Sequence, residues 1–113
     1  METIAVVLSV ADDRVAEFEA GFREHELPIW QDFNARGVML TASLSRLDIS
    51  SRSVKGATQY LIVVLFATGE GHHEHDGDPR FNAWNAIADT YQVADGMAFG
   101  GETLLRVGPP AEA

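Results

Sequence analysis

The stretch TQYLIVVLFA, residues 58–67, limits the fold more than any other part of this 113-residue chain. It is rich in β-branched and large apolar residues and has almost no polar interruption, the pattern of a strand buried on both faces. Along it, Tyr60, Ile62, Val64 and Phe66 alternate with Leu61, Val63 and Leu65. Leaving either set in water forfeits about 1.5–3 kcal/mol per side chain. In sum that is comparable with the roughly 5–15 kcal/mol that separates a folded domain from its unfolded chain. Both faces of this strand therefore need cover.

The remaining sequence arranges itself around that strand. Residues 3–9 form an earlier strand rich in Ile and Val. Asp12 and Asp13 then give the acidic start of a helix. Val15, Phe18, Phe22, His25, Ile29 and Phe33 recur at steps of three and four, which marks one buried helical face. Gly37 ends this helix, and Pro28 removes the hydrogen bond back to Glu24, so a kink or a two-piece helix is expected. Leu40, Ala42 and Leu44 alternate with Thr41, Ser43 and Ser45 in a strand over 38–48.

Beyond the central run, Asp78 and Pro79 are the cap and first residue of a second helix. Its apolar stripe is Phe81, Trp84, Ala88 and Tyr91, and Gly96 closes it. Residues 97–107 make a last strand, in which Gly100 and Gly101 mark a bulge or a close backbone approach. The domain is expected to span 1–108, with 109–113 a disordered tail.

The element order is β-α-β-β-α-β, the ferredoxin-like arrangement of the α+β class. Right-handed crossovers put the first and third strands at the centre of a four-stranded antiparallel sheet. Two helices cover one face only. A second copy of the sheet is the expected cover for the other, giving a homodimer packed sheet to sheet.

A net charge of −9 argues against nucleic acid and anionic membrane surfaces as partners, since both call for a basic patch. Cysteine is absent, which removes disulfides, thiolate metal sites and cysteine nucleophiles. No apolar run approaches the ~18 residues of a membrane span. Glu2 stands where a secretory signal would carry positive charge. A soluble, cytoplasmic protein is expected.

Candidate chemistry gathers in GEGHHEHDGDPRF, residues 69–81, which holds His72, His73 and His75 among four acidic residues. Read as an extended loop, it turns His73 and His75 to one side. With Asp76, Glu74 or His25 they could bind zinc, copper, nickel or iron. The same loop could instead serve acid–base chemistry or remain a mobile polar segment. Neighbouring carboxylates favour the imidazolium form and should raise the histidine pKa values. His25, inside the apolar stripe of the first helix, is either a hydrogen-bonded core residue or a proton-transfer group, because histidine exchanges protons near neutral pH.

The element order and the doubly apolar central strands resemble the dimeric α+β-barrel superfamily. That group includes antibiotic-biosynthesis monooxygenases, EthD-like proteins, muconolactone isomerases and stress-responsive barrel proteins. REHELPIW, residues 23–30, resembles the first helix of EthD-like members, and DPRFNAWNAIADTY, residues 78–91, resembles the second helix of the monooxygenases. The resemblance implies a small hydrophobic cavity between sheet and helices in each protomer, for small or aromatic molecules, often without cofactor. Phe22, Phe81, Trp84, Asn85 and Tyr60 are the substrate-binding candidates, and His25 the catalytic one. The expected function is an enzyme of cofactor-free oxygenation or proton-transfer isomerisation on a hydrophobic substrate. The alternatives are a non-catalytic ligand-binding or sensing module, and a metal-binding protein using the 72–75 loop.

Overall fold

The computed structural model describes residues 1–109, so most of the expected tail lies outside the described residues. Four strands, β1 (Glu2–Ala11), β2 (Met39–Arg46), β3 (Ala57–Phe66) and β4 (Gln92–Glu102), form one antiparallel sheet in the order β2-β3-β1-β4. The two strands that read as apolar on both faces are the central pair, with Ile4 opposite Val64 and Val6 opposite Ile62. Between β1 and β2 runs a long helical segment, and between β3 and β4 run two shorter helices, α3 (Glu70–Asp76) and α4 (Pro79–Asp89). No helix among the described residues is long and apolar enough to cross a membrane.

The first helical segment changes its winding along its length. After a 3₁₀ turn over Asp12–Arg14 come α1 (Val15–Gly21), a π-helical turn over Phe22–Glu26, and α2 (Leu27–Ala35). In the π turn the Leu27 N–H reaches back five residues to the Phe22 carbonyl. Pro28, just beyond, has no N–H to give and would crowd the carbonyl four residues earlier in a regular helix. A wider turn is one way to accommodate such a residue, and π turns of this kind insert a single extra position. The expected kink is thus a change of winding.

The extra position rotates the buried face. Phe18 and Phe22 point inward, but the next inward residues are Glu26, Ile29, Trp30 and Phe33, all buried, whereas His25 is exposed. These side chains pack with Tyr60, Val64, Phe66, Trp84 and Ala88 into the core between helices and sheet. Gly21 sets the spacing of α1 from α4: a Cβ there would lie 2.6 Å from the Trp84 ring.

Asp78 and Pro79 do open α4, with the Asp78 side chain accepting the Arg80 N–H at 2.8 Å. Arg80 also holds the Asp78 carboxyl down to about 2. Two boundaries differ from the sequence expectation. The helix stops at Asp89, and β4 begins at Gln92, so Gly96 lies inside the strand instead of closing the helix. Gly100 marks a close approach: it pairs with Ile4 in the ladder, and a Cβ on it would sit 2.6 Å from Ile4 Cδ1. The register irregularities of this pair fall elsewhere, around Ser9.

The opposite face of the sheet carries Thr3, Ala5, Val7, Leu61 and Val63, only half-buried, and Phe99, exposed. Past β4 the chain continues without regular structure through Leu104, Leu105 and Val107, all well exposed.

Candidate functional site

Between the helices and the sheet lies a cavity of about 500 Å³. Its floor is the helix-facing row of the sheet, with Ile4, Val6, Ile62 and Val64, and its walls include Phe22, Trp30, Phe81 and Trp84. Volume and lining fall in the range typical of small-molecule sites, which are mostly apolar with a few placed polar groups.

Those polar groups come mainly from α3. The segment read as an extended loop is a helix, which overturns the His73–His75 pairing. Two residues apart on a helix do not share a face. His75 is buried against the cavity, whereas the His73 position is exposed. Among the described residues, no group of three or more His, Asp or Glu side chains is arranged to hold a metal ion. The metal set His73, His75 and Asp76 is therefore not assembled.

The helix instead delivers His72 and His75, three residues apart, to the same cavity. His75 bridges two carboxylates: its Nε2 is 2.5 Å from Glu26 Oε1, and its Nδ1 is 3.1 Å from Asp76 Oδ1. Phe33 and Phe81 pack against its ring at 5.8 and 4.3 Å between centroids. Burial opposes the imidazolium charge, but Glu26, and then Asp76, outweigh it and hold the His75 pKa above the ordinary histidine value. His72 pairs through Nδ1 with Glu2 at the start of β1, and Gly71 lets α3 lie directly on Phe66.

Glu26 is the residue that sequence reasoning missed. Its side chain is 4% exposed, one oxygen is taken by His75, and Oε2 has no hydrogen-bond partner among the described residues. A buried carboxylate oxygen without a donor is costly. The available signal was the pairing of EHELP: with an extra residue in the turn, the glutamate takes the inward place the histidine would have had.

The other sequence candidates divide. Phe22, Phe81, Trp84 and Asn85 line the cavity together. His25 does not: it stacks on Trp84 at 5.4 Å from outside, with its side chain 42% exposed. Tyr60 faces away as well, into a second, more open depression of about 560 Å³ beyond Phe22 and Trp30. There its hydroxyl donates to Glu19 Oε2 at 2.5 Å.

No protein-family profile matches this sequence, and no curated protein is significantly similar to it. Solved structures are similar in fold. A protein of Caulobacter crescentus, assigned by inference as an antibiotic biosynthesis monooxygenase, superposes with a TM-score of 0.72 at 20% identity, covering 92% of this chain and 90% of that one. One of Nitrosomonas europaea with the same assignment gives 0.73 at 15% identity, over 93% and 100%. SnoaB of Streptomyces nogalater, a cofactor-independent oxygenase crystallised as a point mutant, gives 0.60 at 16%, over 97% and 98%. The chain thus shares the ferredoxin-like α+β fold of these proteins.

Proposed function

We propose that this protein is a small-molecule enzyme that binds an apolar, aromatic-sized substrate between sheet and helices and removes a proton from it without an organic cofactor. Cofactor-free oxygenation and proton-transfer isomerisation both begin with that step. The observation carrying the reading is the Glu26–His75 pair, buried in an otherwise apolar cavity with one carboxylate oxygen unpartnered. That oxygen is the proton acceptor. His75, favoured in its charged form, bonds the other carboxylate oxygen and fixes the side chain in position to take the proton. The fold shared with a cofactor-independent oxygenase supports the reading.

His25, on the outer side of Trp84, has no part in this step. Two copies are proposed to pack through the bare sheet faces, and native mass spectrometry should show a dimer. The catalytic reading is tested with a panel of bicyclic aromatic alcohols, ketones and amines, following substrate loss by mass spectrometry and dissolved oxygen by electrode. Turnover should fall by about 100-fold in Glu26→Gln and persist in His25→Ala. Wild-type turnover in Glu26→Gln would contradict it. Oxygen consumption separates oxygenation from isomerisation.

A further inference from the structure

We propose that the molecule received by this cavity carries a protonated nitrogen. The first argument is charge. Three carboxylates line the cavity, those of Glu2, Glu26 and Asp76, together with the two imidazoles of His72 and His75, and neither lysine nor arginine does. Even with a proton on each imidazole, Glu2 pairing with His72 and Glu26 with His75, the charge of Asp76 at the solvent-facing rim is left over and gives the cavity mouth a net negative sign. The nearby arginines are committed elsewhere: Arg36 to Glu74 and Asp32, Arg80 to Asp78 and Asp32.

The second argument is hydrogen bonding. Glu26 Oε2 needs a donor, and the described residues supply none. An ammonium or protonated ring nitrogen supplies both the N–H and the charge. A carboxylate or phosphate head would add a further anion and leave Oε2 unsatisfied.

The inference rests on the reading above that this cavity holds the substrate, and it specifies the proton handled there. Transfer of an N–H proton to Glu26 breaks the N–H bond, forms O–H, and leaves the electron pair on nitrogen. The product is the neutral, electron-rich amine.

Three ligands with one ring frame test this by calorimetry on the full-length protein at neutral pH: 2-aminotetralin, its 2-hydroxy analogue and its 2-carboxylate analogue. The amine should bind at least about tenfold more tightly than the alcohol, the worth of a hydrogen bond to a charged group, and the carboxylate more weakly than either. Glu26→Gln should abolish the preference for amine over alcohol. Asp76→Asn, which removes the charge at the rim, should reduce the preference by a smaller factor. Alcohol or carboxylate binding as tightly as the amine would overturn the inference and leave the cavity reading standing. A preference unchanged in both variants would also overturn it. Failure of all three ligands to bind would overturn both.

Discussion

Phe22 and Trp30, edge to face at 5.1 Å, separate two polar clusters that are built from similar parts and finished differently. On one side Glu19 accepts from the Tyr60 hydroxyl at 2.5 Å, from Arg46 Nε at 3.0 Å and from a second Arg46 nitrogen. The tyrosine and then the arginine hold its carboxyl below the usual range. Burial, and then Glu19, push Tyr60 up to about 12. On the other side Glu26 is far more buried, has only an imidazole for a partner, and keeps one oxygen free. Glu19 has its bonds completed by its neighbours, whereas Glu26 is left one bond short at the cavity wall.

Parallel substitutions on the two sides can break this contrast. The largest difference is expected in turnover of an accepted probe: about a 100-fold loss for Glu26→Gln, against less than about twofold for Glu19→Gln. In thermal or denaturant unfolding, Tyr60→Phe should cost about 1 kcal/mol, the net worth of one hydrogen bond, with ligand affinity unchanged.

The pH dependence is smaller and differs in position. A histidine whose pKa rises on folding adds stability that is complete below its unfolded value, about 6.5, and lost as pH rises through the folded value. Wild-type melting temperature should therefore step down as pH rises above about 6.5, because His75 is such a residue. Glu26→Gln should flatten that step. The Tyr60 contribution is intact below the ordinary value of 10.0 and lost only as pH rises through about 12, which absorbance titration of tyrosinate would detect. Arg46→Ala, which removes a solvent-exposed partner, should have the smallest effect of the series.

The sheet was legible because residues 58–67 are apolar on both sides, which suits a central strand, and β3 lies in the interior of the sheet. The α4 start was legible because Asp78 and Pro79 act locally. The apolar stripes that carry Phe22, Phe81 and Trp84 followed from helical spacing, whereas a cavity beside them was what the family resemblance implied. His25 did not follow, because spacing arguments assume one winding throughout, and a π turn at Phe22–Glu26 moves the inward place to Glu26. Helix α3 was hidden for a different reason. One glycine inside the helix, one at each end and a crowd of like residues give weak local propensity, and the helix is held by tertiary contacts: Gly71 on Phe66, His72 on Glu2, His75 on Glu26. Pairing between residues 49 apart cannot be read from either segment alone.

The seating of Glu26 against His75 is open to direct measurement by heteronuclear NMR of the His75 ring through a pH series. In the wild type its midpoint should lie above the ordinary histidine value, drop in Glu26→Gln, and stay put in His25→Ala. A midpoint at or below the ordinary value, or one that responds to His25→Ala and ignores Glu26→Gln, would contradict the account.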